Sequence, residues 1–231
     1  MDDVGPRGIF RLSARGGSGA GRRVEAAAGS HRATVSVERS EGYSEHFFEA
    51  IRARRVSRRF TSEPVSEHDI WLILDAARRA ASAANVRIHR FLVVRDPRRL
   101  RLVRMLSPGM LAVPQALIVI CTDLEAAAAA EVQVGKDDSV LVDVGTAAMN
   151  MMLAAQALGL GSCPATSFSR SAVAEVLELP ARARPEFMLQ LGHPAPEKRI
   201  LPPGPKRRLT AADLSYWERY GERREPASSD C

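Results

Sequence analysis

Two clusters of basic residues have side chains suited to an anionic ligand. The first holds five arginines between Arg52 and Arg59, and the second is Lys206-Arg207-Arg208. A guanidinium group presents paired N–H donors that match the oxygens of a phosphate dianion. Runs of charge are more often a solvated face, but the first cluster stands where a predicted helix ends and beside an aromatic residue, Phe60. We therefore interpret both clusters as candidate phosphate-binding segments.

Residues that would perform covalent or metal chemistry form no recognisable pattern. The sequence has no G-x-G-x-x-G after a predicted strand, no P-loop, and no Ser-His-Asp or Cys-His arrangement. The five histidines are isolated, and Cys121, Cys163 and Cys231 have neither C-x-x-C nor zinc-type spacing. We predict no catalytic side chain and no metal site. Phosphate-binding arginines without acid–base machinery indicate a cofactor that performs the chemistry itself.

The composition, with 231 residues, 45% hydrophobic and 26% charged, is that of a folded protein with a sizeable core. Half of the net charge of +6 comes from residues 1–40, which hold seven arginines against four acids and show no hydrophobic period. We expect residues 1–43 to be a disordered basic arm, or sequence upstream of the translated start. Without interleaved aromatic residues, a nucleic-acid-binding tail is the weaker interpretation. The cysteine usage and the absence of a signal-like apolar run favour the cytoplasm.

Elements that must position the basic clusters can be predicted from apolar periodicity and capping residues. Helices are predicted from Ser44 into the first basic cluster, after a Ser66 cap, over 100–105, around 126–130, from a Ser169 cap to Leu177, and near 214–220. Short apolar runs predict strands at 91–94, 116–121, 162–166 and 187–191. This order indicates an α+β fold, an α/β sandwich with a small mixed sheet flanked by helices. We expect one domain over residues 44–200 and an extended arm over 201–231.

The longest element is a helix of about 20 residues over positions 140–158, ended by Gly159 in a left-handed C-cap. Apolar residues occupy every side of it, and Asp143 is its single charge. A helix of this kind is expected to be buried all round. The central helix of a soluble dimer is the better interpretation, while a buried helix in a monomer core remains open. A membrane span is disfavoured by Asp143, Asn150 and Gln156.

Four segments together resemble the FMN-dependent nitroreductase family, over roughly residues 47–209. Residues 51–60, IRARRVSRRF, are similar to its opening R-R-S-x-R-x-F motif, and residues 80–91, AASAANVRIHRF, to A-P-S-x-x-N-x-Q-P-W-x-F. Residues 154–162, AAQALGLGS, are close to A-A-x-x-L-G-L-G-S, and residues 205–209, PKRRL, resemble a C-terminal arm that returns to the cofactor phosphate. Their order along the chain is the most specific feature.

The resemblance implies which residues hold FMN. Arg54, Arg55, Ser57, Arg58, Lys206 and Arg208 are expected at the phosphate and ribityl chain, Asn85 at the pyrimidine edge, and the backbone of Ala165 and Thr166 near flavin N5. Val56 stands where the family has Ser, and Arg87-Ile88-His89 replace Gln-Pro-Trp. The flavin edge and the adjacent pocket are therefore expected to differ from those of common members.

The resemblance also implies a homodimer with two FMN sites at its interface. The implied activity is ping-pong reduction, by NADH or NADPH, of a nitro, quinone or related small organic acceptor. Alternatives are a flavin oxidase or dehydrogenase acting on a peptide-like or other small substrate, a flavin-fragmenting or reductively dehalogenating relative, and a non-catalytic FMN-free homologue. We expect neither nucleic acid nor membrane as a partner.

Overall fold

The computed structural model describes residues 41–111, 113–196 and 209–224. The predictions for residues 1–40, Lys206 and Arg208 lie outside these described residues. The helices are α1 (Glu41–Ala53), α2 (Glu67–Arg78), α3 (Pro97–Met105), α4 (Leu124–Ala129), α5 (Ser139–Ala157), α6 (Arg170–Val176) and α7 (Ala211–Leu214). The strands are β1 (His89–Val94), β2 (Ala116–Asp123), β3 (Gly161–Ala165) and β4 (Ala183–Gly192), and a short 3₁₀ helix covers Ala83–Asn85.

The four strands form one sheet in the order β1-β2-β4-β3, and each neighbouring pair is antiparallel. The prediction of a mixed sheet therefore needs correction. A parallel pairing occurs at an isolated bridge to Ser162 of β3 from Val56, which lies outside the four strands. Continuous apolar strands are typical of sheets covered on both faces, and they carry no direct signal for strand direction.

Strand β2 shows how the core is divided between the two faces of the sheet. Ala116, Ile118 and Ile120 pack towards α2 and α5, whereas Leu117, Val119 and Cys121 pack towards α3 and α6. All six are almost completely buried. Since full burial of a large aliphatic side chain stabilises a fold by about 1.5 to 3 kcal/mol, this central strand anchors both layers. The predicted α/β sandwich is confirmed.

Within the single chain, helix α5 is buried on one side. The prediction of burial all round includes a second subunit and stays a prediction. The buried positions are Val140, Asp143, Val144, Ala147, Ala148, Met151 and Ala155. Leu141, Val142 and Met149 are 58%, 61% and 44% exposed, because the sheet and α2 cover a single side of the helix. The helix has the length and hydropathy of a membrane span, but its buried side forms part of the core of a folded domain.

Several predicted helix boundaries are confirmed and two are wrong. Ser66 and Ser169 accept the backbone N–H of Asp69 and Ala172 as N-caps, and Gly159 has φ +72° after α5. The first helix is already formed at Glu41, so Ser44 lies inside it and is not its cap. The helix predicted near 214–220 is instead Ala211–Leu214, because a capping box of Thr210 and Asp213 starts it earlier and Ser215 is extended.

Candidate functional site

Helix α1 ends at Ala53, within the first basic cluster, and the remaining residues of the cluster lie beside the end of the sheet. Val56 forms the parallel bridge to Ser162, and the Ser57 N–H donates to the Ser162 carbonyl at 2.9 Å. Further on, the Thr61 N–H donates to the His193 carbonyl at 2.9 Å. The cluster is thus fixed beside the start of β3 and beside the segment that follows β4. That segment leads towards residues 197–208, which include Lys206 and Arg208 and lie outside the described residues.

The arginines of this cluster differ in whether their guanidinium groups have hydrogen-bond partners. Arg55 donates from Nη1 to the carbonyls of Arg52 and Arg54, at 2.6 and 2.8 Å, and so satisfies the C-terminal end of α1. The guanidinium groups of Arg54, which is half-buried, and Arg58, which is exposed, have no hydrogen-bond or ion-pair partner among the described residues. Arg54 and Arg58 are therefore free to bind an anion, and Arg55 is partly committed to the helix.

Strand β3 is an edge strand whose alternate residues direct their backbone groups away from β4. Pro164, opposite Leu189, has no N–H to give to the ladder, so positions 162 and 164 form the outward set. The bond from Ser57 to Ser162 agrees with this register. Thr166 directly follows the last residue of β3, and none of the described residues accepts its N–H. Beside it, Ala165 is buried and pairs with Met188.

Asn85 lies in the loop between α2 and β1, which has an unusual backbone. Ala84 and Asn85 have φ of +48° and +56°, a region that Asn tolerates better than Ala. The Asn85 N–H donates to the Ser82 carbonyl, while its side-chain amide is exposed and bonds to none of the described residues. Strained backbone of this kind is often found at ligand-binding loops. Asn85 thus has a free side-chain amide. Its position is set by this loop, which is distinct from the segment around Ser57.

Three polar side chains of α5 hold this loop and the end of α2. Both carboxylate oxygens of Asp143 accept the Ala83 N–H, at 3.0 and 3.2 Å. Thr146 donates to the Ala81 carbonyl, and Asn150 donates to the Ala76 carbonyl, each at 3.0 Å. Positions 143, 146 and 150 share one helix face by their i, i+3, i+7 spacing. The loop that presents Asn85 is therefore attached to the central helix.

His89, at the start of β1, is a partly buried polar residue that follows the loop. Burial lowers the pKa of His89, and the negative charges of Asp143 and Glu186 offset part of this shift. The carboxylate of Glu186 is almost inaccessible and lies 3.1 Å from Arg184 and 3.4 Å from Arg170. Burial, with a smaller contribution from Glu186, raises the pKa of the Cys121 thiol to about 11. Among the described residues, no three His, Cys, Asp or Glu side chains group as metal ligands.

Comparison with known proteins identifies the fold and the segments described above. The model of the nitroreductase family matches residues 51–139 and 103–193, a region that includes the first basic cluster, the Asn85 loop and β3. The chain belongs to the nitroreductase family. This assignment confirms the predicted family and fold, and it confirms the prediction of an enzyme, a nitroreductase-like oxidoreductase.

Individual relatives agree with the family assignment. An NADH dehydrogenase of Thermus thermophilus is 32% identical over 173 residues, covering 62% of this chain and 84% of the relative. An NADPH-flavin oxidoreductase of Vibrio harveyi is 29% identical over 183 residues, covering 75% of this chain and 74% of the relative. Among solved structures, an FMN-dependent nitroreductase of Clostridium difficile is 25% identical with a TM-score of 0.57, and the match covers 68% of this chain and 92% of that one.

Sequence reasoning missed the polar residues that support the loop of the candidate site. From the sequence, Asp143 and Asn150 argue only against a membrane span, and Thr146 carries no signal of its own. Their shared helix face was a usable signal, because polar side chains at i, i+3, i+7 in an apolar helix face one neighbour. His89 was seen only as a departure from the family motif. Nothing in the sequence indicated its link to Thr122 and Glu186, which depends on strand pairing.

Proposed function

We propose that this nitroreductase binds FMN and uses NADH or NADPH to reduce a nitro, quinone or related small organic acceptor by a ping-pong reaction. The single observation that carries the proposal is the pairing of Ser57 with Ser162. It fixes the arginine cluster at one end of the β3 edge, while Thr166, whose N–H none of the described residues accepts, follows the other end. The relatives named for flavin, FMN and NADPH chemistry support the same reading.

The residues present fit the proposed cofactor. Arg54 and Arg58 carry free guanidinium groups for a phosphate, with Ser57 beside them and Lys206 and Arg208 proposed to complete the site. Roughly 10 Å of strand separates Ser162 from Ala165, at about 3.3 Å per residue. This spacing suits a phosphate at one end of the edge and a flavin ring at the other. Arg55 contributes through the guanidinium N–H groups that do not bond to the end of α1, since only Nη1 donates to Arg52 and Arg54.

The chain contributes binding and orientation. FMN, when bound, supplies the hydride-transfer chemistry. The N–H of Thr166, next to Ala165, would donate a hydrogen bond to the flavin without a side chain that must change its own protonation. The exposed amide of Asn85 would hold the pyrimidine edge, and its loop is held in place by Asp143.

We also propose that the enzyme is a soluble cytoplasmic homodimer. The exposed apolar side chains of α5, Leu141, Val142 and Met149, follow one face around Gly145, where an added Cβ would meet nothing within 4 Å. A glycine in an exposed apolar stripe permits close approach of a second backbone. A second copy of α5 would cover this stripe.

The test is an absorbance spectrum of the purified full-length protein, followed by anaerobic titration with NADH and with NADPH. We expect flavin absorbance bands that bleach when NADH or NADPH is added and return when a quinone or nitroaromatic acceptor is added. Protein that neither retains nor rebinds FMN would contradict the cofactor proposal. Bound flavin that no nicotinamide reduces would instead support the oxidase or dehydrogenase alternative.

A further inference from the structure

A cavity of about 340 Å³ lies between the end of α2, the Asn85 loop, β1 and α5. Its lining is mainly apolar, and its polar side chains are Arg78, Ser82, Arg87, His89 and Asp143. Cavities of this size that combine an apolar wall with a few convergent polar groups are typical of small-molecule sites. None of these five residues belongs to the FMN site proposed above.

Two polar atoms of the cavity are buried without a partner. Neither Ser82 Oγ nor His89 Nε2 makes a hydrogen bond to any described residue. Buried polar atoms are normally satisfied, because leaving them unpaired costs free energy. Their location on a shared cavity indicates that a molecule inside it completes their hydrogen bonds.

The hydrogen-bond role of His89 Nε2 is fixed by the residues behind it. A bulge in the pairing of β2 with β4 leaves Glu186 between the pairs Ile120–Phe187 and Cys121–Pro185. There Glu186 Oε1 lies 3.4 Å from Thr122 Oγ1, and Thr122 Oγ1 lies 3.4 Å from His89 Nδ1.

The carboxylate of Glu186, flanked by two arginines, can only accept, so the Thr122 hydroxyl donates its one proton to it. The Thr122 oxygen then accepts from His89 Nδ1–H. In a neutral imidazole with its proton on Nδ1, Nε2 is an acceptor. The cavity therefore meets an unprotonated ring nitrogen.

Asp143 adds a second acceptor to the same cavity. Asp143 is 8% exposed, and its carboxylate accepts one backbone N–H from Ala83 and has no ion-pair partner among the described residues. The two lining arginines are already engaged: Arg78 pairs with Asp75 at 2.6 Å, and Arg87 donates to the carbonyls of Arg78 and Ala80. The cavity thus offers two acceptors, His89 Nε2 and the Asp143 carboxylate, and one unpartnered hydroxyl, that of Ser82.

We infer that this cavity binds a small molecule that presents N–H donors, an amidinium or a primary carboxamide group. Its N–H groups donate to His89 Nε2 and to the Asp143 carboxylate, and the Ser82 hydroxyl completes the set. The apolar wall, which includes Phe91 and Ala147, receives the rest of the molecule. The site is separate from the redox reaction proposed above and does not depend on it.

Three probes of the same shape test the inference: benzamidine, benzamide and benzoate. All three share a ring and a planar head group. Benzamidine carries a charged donor group, benzamide a neutral donor group, and benzoate no donor. We expect calorimetry on the full-length protein to detect benzamidine and benzamide, and benzoate to bind at least about tenfold more weakly. The order of the first two shows whether the positive charge or the N–H groups alone are selected. Equal binding of benzoate, or no binding by either donor, would overturn the inference and leave a water-filled cavity.

Substitutions locate the binding. Ser82→Ala and His89→Phe should each weaken benzamide binding about tenfold. Ser107→Ala is the matched control, because Ser107 Oγ is also buried and unpartnered but lies outside this cavity. A loss of affinity in the control equal to that in Ser82→Ala would contradict the assignment. Independently, nitrogen-15 NMR should find the His89 proton on Nδ1 in the free protein, and a proton on Nε2 would contradict the acceptor role.

Discussion

Gly161 of β3 and Gly192 of β4 are paired directly, and together they leave one end of the sheet without side chains. A Cβ built on Gly161 would lie 2.7 Å from both Cβ and Oγ of Ser57, and one on Gly192 would lie 2.8 Å from a ring carbon of Phe60. Opposed residues of an antiparallel pair share a face, so the two glycines leave one bare patch. The segment that carries the proposed phosphate ligands packs on this patch.

Gly161→Ala should therefore weaken both the fold and cofactor binding. The new methyl group must displace Ser57, and overpacking of this kind typically costs about 1 to 3 kcal/mol. Urea unfolding of the FMN-free protein and FMN titration measure the two effects. Adding Ser57→Gly to Gly161→Ala should restore stability but not FMN affinity. If Gly161→Ala alone leaves both quantities unchanged, the close packing of Ser57 on β3 is not present in solution.

The strands of this fold were predictable and their arrangement was not. The apolar runs at 91–94, 116–121 and 187–191 all lie within strands, because continuous apolar segments of this length suit a sheet covered on both faces. The order β1-β2-β4-β3 and the bulge at Glu186 depend on pairing between segments far apart in sequence. No local pattern encodes such pairing.

The candidate site was predictable only where one segment carried its own signal. Arg54 and Ser57 can be proposed from the sequence because their motif lies within ten residues, and the structure adds that Ser57 bonds to the start of β3. The supporting roles of Asp143 and His89 arise from contacts with residues 60 and 33 positions away, respectively. Properties of this kind emerge only when helix, loop and strand are placed together.

Substitution of Leu141 by Glu should prevent dimerisation and leave the monomer folded. Leu141 is 58% exposed on α5, so a charge is tolerated in water but not in a packed helix interface. We expect dimer affinity to fall by at least about 2 kcal/mol, roughly 30-fold. Light scattering should change from about twice 25.2 kDa to 25.2 kDa. Met105→Glu, at an apolar position 80% exposed on α3, is the control and should remain dimeric. A wild-type protein of monomer mass would contradict the dimer proposal.

Asp143→Ala should loosen the Asn85 loop. Removal of the carboxylate leaves the Ala83 N–H without its acceptor, at a cost of about 1 to 3 kcal/mol. Asp143→Asn retains one acceptor oxygen and should cost less. Urea unfolding and amide exchange at Ala83 measure the change. Asp138→Ala is the control, since Asp138 is exposed and its side chain does not cap α5. Equal exchange at Ala83 in the wild type and in Asp143→Ala would argue against this anchoring role.

His89 should make the fold less stable in mild acid. Its folded-state pKa lies below the usual value of about 6.5, chiefly because burial disfavours the charged ring. Between these two pKa values the unfolded chain binds more protons, so the free energy of unfolding falls as the pH drops below about 6.5. The contribution is fully present above that pH. Melting temperatures of wild type and His89→Gln between pH 8 and pH 5 isolate it as a difference, with exposed His46→Gln as control. Parallel curves for wild type and His89→Gln would exclude a buried neutral His89.

Arg54 and Arg208 should act together on one FMN phosphate. Arg54 is half-buried, and its guanidinium has no partner among the described residues. It lies two residues before Val56, which bridges to β3, and Arg208 follows in sequence the segment that pairs with Arg59 and Thr61. A hydrogen bond to a charged group contributes about 1.5 to 3 kcal/mol, so Arg54→Ala or Arg208→Ala should weaken FMN binding by about one to two orders of magnitude. Stability without FMN should change much less.

Riboflavin, which lacks the phosphate, separates this effect from general damage to the site. Its affinity should barely respond to either substitution, and Arg101→Ala on the exposed face of α3 should affect neither ligand. Because both side chains would contact the same anion, the loss in the double variant should be non-additive, whereas independent surface arginines would add small effects. Equal binding of FMN and riboflavin by the wild-type protein would refute the phosphate assignment, because the arginine cluster would then contribute nothing to cofactor selection.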